Sequence, residues 1–147
     1  MFKHLLVPTD GSPLSQQTIE RALSFARDTK AEVTFFYAMP EYPMPYYGEG
    51  ALLDPYTPEQ FAKLARQQAD DVLAAASALA QKEGVSARAH SSTGDAVYQE
   101  IINAAEKNGC DLIFMASHGR RGLSGLLLGS ETQKVLTHSK IPVLVYR

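Results

Sequence analysis

Short apolar runs and longer amphipathic stretches alternate along the whole chain. The apolar runs are rich in β-branched and aromatic residues, which favours strands, and the amphipathic stretches repeat their apolar positions at helical spacing. The pattern predicts five strands, at residues 3–8, 32–38, 85–91, 111–116 and 141–146. It predicts four helices between them, at residues 13–29, 57–84, 94–109 and 130–139.

Capping residues mark where these helices begin. Ser12 followed by Pro13 is typical of a helix start. Thr57 to Gln60 and Ser130 to Gln133 both match a capping box, so Ser130 is expected to cap the last helix. The apolar period of the second helix comprises Phe61, Leu64, Val72, Ala76 and Leu79. The buried face of the third helix is expected to comprise Val97, Ile101, Ile102 and Ala105.

Regular alternation of strand and helix predicts an α/β fold. Strands that are apolar throughout are typical of parallel sheets covered on both faces, and right-handed crossovers place helices on both of those faces. No internal repeat or shift in composition marks a second domain. We therefore expect residues 1–147 to form a single doubly wound domain around an open sheet of five mainly parallel strands.

Residues 39–56 interrupt the alternation. This segment carries four prolines, two glycines and a group of tyrosines, namely Pro40, Pro43, Pro45, Pro55, Gly48, Gly50, Tyr42, Tyr46 and Tyr47. Such a composition excludes a regular helix and predicts an irregular loop. Long loops in small domains are usually functional or mobile, so both a lid or partner surface and a plain disordered insertion stay open.

Charge and composition exclude several classes of partner. The 147 residues carry 14 Lys and Arg against 16 Asp and Glu, a formal net charge of −2, so nothing offers the broad basic face that nucleic acid requires. No apolar run approaches the roughly 20 residues that span a bilayer. We expect a soluble, cytoplasmic protein without a membrane partner. The single cysteine, Cys110, is expected to be a packing residue, and the four histidines have no metal-ligand spacing.

The segment from Met115 to Gln133 holds the strongest candidate chemistry. It joins an apolar strand to a helix start through four glycines and two arginines. The first turn of a helix presents free N–H groups and a positive dipole end, which together bind phosphate. The alternative is that the glycines serve only a tight turn and close packing. The spacing does not match the Gly-x4-Gly-Lys-Ser/Thr phosphate loop.

A second turn strengthens this interpretation. In open α/β sheets, ligands bind beyond the carboxyl ends of the strands, where the winding reverses. If the first and fourth strands are neighbours, the turn at residues 8–12 and the turn at residues 116–119 form one crevice. Two turns distant in sequence would then build one binding site.

With both turns considered, the chain resembles the universal stress protein family over essentially its full length. The resemblance rests on the order and spacing of Leu6 to Ser12, Gly94-Asp95, Asp111 to Arg120, Leu127 to Ser130 and Ile141 to Val145. It implies a Rossmann-like sheet with strand order 3-2-1-4-5. Nucleotide-binding members carry Gly-x2-Gly-x9-Gly-Ser/Thr; here Gly119 and Gly129-Ser130 match, whereas Ala116 replaces the first glycine. We expect this added methyl group to weaken binding or leave it unaffected.

The resemblance also implies roles for individual residues toward ATP or AMP, with Mg²⁺ a further candidate. Pro8, Thr9 and Asp10 would lie near the adenosine, with Asp10 also a candidate Mg²⁺ ligand, and Ala38 would wall the adenine. The ribose and phosphates would follow Met115, Ala116, His118 and Gly119, with Arg120 beside the phosphates. Backbone and hydroxyl donors would come from Gly129, Ser130, Glu131 and Thr132.

Several of these residues have a plainer alternative. Asp10 could form only an Asx-turn or a helix cap, His118 could be a solvent-facing turn residue, and Arg120 with Arg121 could be a solvated pair. Ser117, His118 and Asp10 do not have the separated geometry of a catalytic triad.

The leading hypothesis is therefore an adenine-nucleotide-binding stress-response protein that is not an enzyme. An interaction module with a vestigial nucleotide site and a weak ATPase remain as alternatives. The apolar last strand at a predicted sheet edge needs a cover. The resemblance implies a homodimer that pairs residues 141–146 across a two-fold axis. Any other protein partner is not indicated.

Overall fold

The structure, a computed structural model, describes residues 1–43, 56–120 and 127–147. Strands and helices alternate as predicted. The strands are β1 (His4–Pro8), β2 (Glu32–Met39), β3 (Ala87–Thr93), β4 (Leu112–Ala116) and β5 (Val143–Tyr146). The helices are α1 (Pro13–Thr29), α2 (Pro58–Lys82), α3 (Val97–Lys107) and α4 (Ser130–His138).

The sheet has the order β3-β2-β1-β4-β5, and each of its pairings is parallel. This confirms both the predicted fold class and the strand order that the resemblance implied. β1 and β4 are neighbours, with Leu5 beside Leu112 and Leu6 beside Ile113. The winding therefore reverses between these two strands, and the loops that follow them leave the same edge of the sheet.

Alternate strand residues feed two separate cores. Leu5 and Val7 pack with α1 and α2 on one face, whereas Leu6 packs with α3 and α4 on the other. Cys110 is buried in the second core, as predicted, and burial raises the pKa of its thiol to about 11. No helix in the described part of the chain is long and apolar enough to cross a membrane.

β3 and β5 each start two residues later than predicted, because local turns hold the residues that precede them. The N–H of Val85 donates to the carbonyl of Ala80 at the end of α2, so β3 starts at Ala87 and not at Val85. The Ser139 hydroxyl group bonds the N–H and the carbonyl of Ile141, which keeps Ile141 outside β5.

The irregular segment was predicted to start at residue 39, but Met39 closes β2. Residues 40–43 and 56–57 lie outside helices and strands, as expected. The rest of that prediction, residues 44–55, lies outside the described residues.

Helix α2 overhangs the carboxyl edge of the sheet. Its 25 residues correspond to about 37 Å, whereas the eight residues of β2 span about 26 Å. Its fully buried residues begin only at Ala69. Leu64, expected on the buried face, is therefore 47% exposed. Val97, in the first turn of α3, is likewise exposed, whereas Ile101, Ile102 and Ala105 are buried as predicted.

The predicted caps of α1 and α2 are confirmed, whereas that of α4 is wrong. Thr57 and Gln60 form the predicted capping box, and Ser12 caps α1 through a 3.2 Å bond from the N–H of Ser15. The prediction for Ser130 is wrong: Gly129 is the N-cap of α4, and Ser130 is its first helical residue. The Gln133 side chain donates to the carbonyl of Leu128 instead of closing a box.

Candidate functional site

The loops after β1 and β4 meet at the carboxyl edge of the sheet, as the sequence predicted. Asp10 joins them, since its Oδ2 accepts a 3.0 Å hydrogen bond from the backbone N–H of Arg120. Its Oδ1 accepts a 2.9 Å bond from the N–H of Ser12, which forms an Asx-turn. Asp10 thus has the plainer role foreseen for it and, in addition, ties together two loops 110 residues apart in sequence.

The buried hydroxyl groups of Thr9 and Ser15 hold the backbone of the Asp10 turn in place. Ser15 Oγ lies 2.6 Å from Thr9 Oγ1 and accepts from the N–H of Asp10 at 3.3 Å. Thr9 Oγ1 accepts from the N–H of Gly11 at 3.3 Å, and the Thr9 N–H bonds the Phe36 carbonyl of β2. The turn is therefore fixed by the protein itself before any ligand arrives.

Both motif glycines that the structure describes lie where other parts of the protein leave little room for a Cβ. A Cβ at Gly119 would collide with Oδ2 of Asp10. A Cβ at Gly129 would lie 3.1 Å from Cα of His118 and 3.2 Å from the carbonyl oxygen of Ser117, to which the Gly129 N–H donates. Because Gly129 packs this closely on the loop, it takes the N-cap position of α4, and Ser130 becomes the first helical residue. The remaining glycines of the segment, Gly122 and Gly125, lie outside the described residues, as does Arg121.

The end of β4 is tied to α4 and β5. The Ala116 carbonyl accepts a 3.0 Å bond from the buried hydroxyl group of Thr132, and the Ser117 N–H donates to Tyr146. Ser117 is itself buried, with its Oγ 3.2 Å from Nδ1 of the half-buried His118. The Thr132 hydroxyl group thus already has an acceptor, and its predicted role as a donor to phosphate would require that bond to break.

Glu131 has a role that the sequence did not reveal. Its Oε2 accepts a 2.8 Å bond from the N–H of Tyr98, in the first turn of α3, and its Oε1 lies 3.3 Å from Nζ of Lys134. Ala96, the N-cap residue of α3, makes no side-chain cap. Glu131 therefore caps α3 from the neighbouring helix. A partner 33 residues away in sequence leaves no local signal.

Three of the residues expected around the nucleotide, namely Ala38 at the adenine, Pro8 near the adenosine and Met115 along the ribose and phosphates, share one face of the sheet. Met115 and Ala38 pack with the α3 and α4 core, at the carboxyl ends of β4 and β2. Pro8 ends β1 between them and, by strand alternation from Leu6, lies on the same face. The structure thus brings these residues to one edge, on either side of the Asp10 turn.

An open crevice of about 370 Å³ lies beside the two loops. This volume falls within the range of ligand clefts. Its lining combines His118, Gly119 and Arg120 with the start of α1, namely Ser12, Pro13, Leu14 and Gln17. Ser12 belongs to the turn that was predicted to form the crevice, whereas Pro13, Leu14 and Gln17 were missed as a site surface, although the helix start next to that turn was a usable signal. The remaining predicted site residues lie outside this lining.

The side chain of Arg120 leaves the crevice toward α2. With the Gln68 amide oriented to satisfy both groups, its oxygen accepts bonds of 2.7 and 2.9 Å from Nη1 and Nη2 of Arg120. Burial raises the pKa of Tyr37 on the same side of the sheet; the Arg120 charge opposes this shift and the Asp10 charge adds to it. Arg120 is thus exposed but not simply a solvated side chain.

Among the described residues, no group of three His, Cys, Asp or Glu side chains is arranged to hold a metal ion. Asp10 therefore offers at most a single carboxylate to a cation. Any Mg²⁺ at this crevice would need further ligands from a bound molecule or water, as is usual for this ion.

The chain is similar throughout its length to known proteins. The sequence model of the Universal stress protein family matches residues 1–147. Universal stress protein YxiE of Bacillus subtilis is 30% identical over 151 residues, which cover 100% of both chains. The solved structure of MJ0577, a universal stress protein of Methanocaldococcus jannaschii, is 28% identical with a TM-score of 0.79, covering 99% of this chain and 95% of that one.

Two solved structures with the same fold contain an adenine nucleotide. A universal stress protein from Archaeoglobus fulgidus in complex with dAMP is 17% identical with a TM-score of 0.67, covering 100% of this chain and 98% of that one. A family member from Arabidopsis thaliana with AMP bound is 16% identical with a TM-score of 0.68, covering 97% and 90%. At these identities the likeness concerns the fold.

Proposed function

This chain belongs to the universal stress protein family, and from that premise we propose that it binds an adenine nucleotide, AMP or ATP, where the β1 and β4 loops meet at the carboxyl edge of the sheet, in and beside the open crevice. The observation that carries the proposal is the hydrogen bond from the Arg120 N–H to Asp10, which joins these loops beside an open cleft of about 370 Å³. The dAMP and AMP complexes of proteins with this fold support the same ligand class.

The phosphate end of the ligand would meet the start of α4. No side chain in the described part of the chain caps this helix, and Ser130 is exposed at its first position. The N–H groups of the first turn therefore keep their capacity to donate, in the field of the helix dipole. In this proposal Ser130, Glu131 and Thr132 act through their backbone N–H groups, because the side chains of Glu131 and Thr132 already bond within the protein. The N–H of Gly129 already donates to the Ser117 carbonyl, so Gly129 contributes room for the ligand and not a donor.

The base end would lie against the apolar edge formed by Pro8, Ala38 and Met115. A flat ring is favourable there because it covers the half-exposed side chains of Pro8 and Ala38, next to the buried Met115. Among the described residues, each Asp10 oxygen accepts from one protein donor, which leaves a lone pair on each for a ribose hydroxyl group or an adenine amine. The Ala116 methyl group narrows the approach of the ligand slightly, and we expect it to be tolerated.

We propose binding without turnover. Hydrolysis of a nucleotide requires a group that orients the attacking water, and Asp10 is held as a structural link between loops. Mg²⁺ would arrive bound to the phosphates of the nucleotide.

A single buried cysteine fits the reducing conditions of the cytoplasm. In that compartment the protein would change its conformation or its binding partner as the nucleotide concentration changes. Phosphate release above background from the purified protein would instead support the weak ATPase.

The exposed edge of β5 is the proposed dimer contact. β5 ends the sheet and its residues are only half-buried. Pairing two β5 strands across a two-fold axis would cover both edges and join the two sheets.

A charge placed at the phosphate end tests the binding proposal. Ser130→Glu favours the helix, since an acidic residue stabilises a helix start, but it repels phosphate. Calorimetric titration should show saturable ATP and AMP binding to the wild type and about tenfold weaker ATP binding to Ser130→Glu. Adenosine binding should be unchanged.

Gln81→Glu makes the same charge change at the exposed far end of α2 and is the matched control. It should bind ATP as the wild type does. No saturable binding at millimolar nucleotide, or equal ATP affinity of Ser130→Glu and the wild type, would contradict the proposed site.

A further inference from the structure

Arg120 connects two parts of the molecule. It is one of the residues that line the crevice, its backbone N–H bonds Asp10, and its guanidinium group bonds Gln68 on α2. On the way, Nη2 of Arg120 passes 3.1 Å from the position of a Cβ at Gly11. Arg120 therefore links the β4 loop, where it meets Asp10, to the overhang of α2, residues 58–68.

Within residues 1–43, 56–120 and 127–147, the overhang buries little surface. Residues 58–68 are exposed except for Phe61 and Ala65, which are half-buried. The Phe61 ring packs edge-on against Tyr42, with the ring centroids 5.5 Å apart. A segment with so little buried apolar surface opens locally at a low free-energy cost. Among the contacts that the described residues make, the bond from Arg120 to Gln68 attaches this segment to the loop after β4.

The present partner of Arg120 is a weak one for a guanidinium group. Gln68 is a neutral amide, and Arg120 forms no ion pair with any described residue. Hydrogen bonds from arginine to phosphate are charge-assisted and often bidentate, and are roughly twice as strong as bonds between neutral groups. A phosphate that enters the crevice within reach of this long side chain is the better acceptor.

We propose that Arg120 exchanges partners when a nucleotide phosphate occupies the crevice, leaving Gln68 and thereby releasing the α2 overhang. This inference rests on the proposed function. The occupied state differs from the empty state in the order of residues 58–68. In this proposal Gln68 and the phosphate compete for one guanidinium group. The effect is reciprocal: phosphate binding weakens the Arg120–Gln68 bond, and that bond weakens phosphate binding to the same extent.

Substitutions at Gln68 test the competition in both directions. Gln68→Leu removes the competing acceptor and should tighten ATP binding by about two- to tenfold, the range of one net hydrogen bond. Gln68→Glu offers Arg120 a carboxylate and should weaken ATP binding. Gln67→Leu and Gln67→Glu, at the exposed neighbouring position, are the matched controls and should bind as the wild type does. Adenosine, which has no phosphate, should bind equally to Gln68→Leu and the wild type.

Hydrogen exchange gives the second readout. ATP should accelerate exchange of residues 58–68 in the wild type, whereas Gln68→Leu should exchange fast with and without ATP. In an Arg120→Ala background, Gln68→Leu should no longer change ATP affinity. If the wild type binds ATP but Gln68→Leu binds it equally or more weakly, the exchange of partners is wrong while the nucleotide site stands. If the wild type binds no ATP, both proposals fall.

Discussion

At the residue scale, the binding motif serves the protein's own architecture. Gly119 leaves room for the Asp10 carboxylate, and Gly129 leaves room for the loop at Ser117 and His118. Both close approaches hold the two loops together at the carboxyl edge. The glycines that would suit a nucleotide are thus also the ones that build the crevice.

Gly119→Ala should damage both stability and binding. The new methyl group collides with Oδ2 of Asp10 and displaces the carboxylate from the Arg120 N–H. We expect the free energy of unfolding to fall by about 1–3 kcal/mol, measured by urea denaturation, together with weaker ATP binding.

The reverse exchange, Ala116→Gly, is the control in the same loop. It removes a methyl group and restores the first glycine of the motif, so ATP affinity should be equal or higher. A Gly119→Ala protein as stable as the wild type would show that the Asp10 bridge contributes little.

Asp111 secures the opposite, amino edge of the sheet. Its carboxylate accepts from the N–H groups of Lys3, at 2.9 and 3.1 Å, and of His4, at 3.0 Å. Burial alone would raise the pKa of Asp111, but these backbone bonds outweigh it and the pKa is lowered.

A lowered pKa makes this contribution pH-dependent. The stabilisation is complete above the unfolded pKa of about 3.9 and is lost as the pH falls through the lower folded value. Asp111→Asn should therefore cost about 1–2 kcal/mol near neutral pH, and the difference from the wild type should shrink below about pH 4. A difference in urea stability that is constant with pH would contradict this assignment.

At the element scale, helices rely on each other for their caps. α3 begins at Val97 without a side-chain cap of its own, and Glu131 of α4 accepts from the N–H of Tyr98. This contact ties the start of α3 to the start of α4, where we propose that phosphate binds.

Glu131→Ala should remove the cap of α3. Loss of a helix cap costs about 1 kcal/mol, which urea denaturation would detect. Glu106→Ala, at an exposed position near the other end of α3, is the control and should change stability little. Equal stability of Glu131→Ala and the wild type would mean that water replaces the cap without loss.

Local patterns predicted the elements because strands and helices differ in apolar period, and the run of apolar strands indicated a parallel sheet. Ser130 shows the limit of local reasoning: its capping box was overridden by the close packing of Gly129 on the loop after β4. Leu64 shows another, because the overhang of α2 depends on strand length and not on the period of the helix. The tertiary contacts of Glu131 and Arg120 have no local signature at all.

At the scale of the whole molecule, the two edge strands of the sheet, β3 and β5, differ in polarity and burial. β3 at one edge is polar and exposed at most positions, whereas β5 at the other is apolar and half-buried. The carbonyls of Pro142 and Tyr146 face β4, so by alternation the backbone groups of Val143 and Val145 face outward. These groups are available for pairing with a second β5.

Val145→Pro should separate the proposed dimer. Proline removes an outward N–H and leaves the bonds to β4 intact, which is how edge strands tolerate it. Light scattering should give a dimer for the wild type and for Val145→Ala, and a monomer for Val145→Pro. A monomeric wild type would contradict the proposed contact.

The most direct test of the account is a titration of isotope-labelled protein with ATP, following the backbone amide signals of both loops by NMR. We predict that the signals of Ser12, Gly119 and Ser130 shift together and saturate at one common dissociation constant. Shifts confined to one loop, shifts elsewhere on the surface, or no saturation at millimolar ATP would contradict the claim that the β1 and β4 loops form a single nucleotide site.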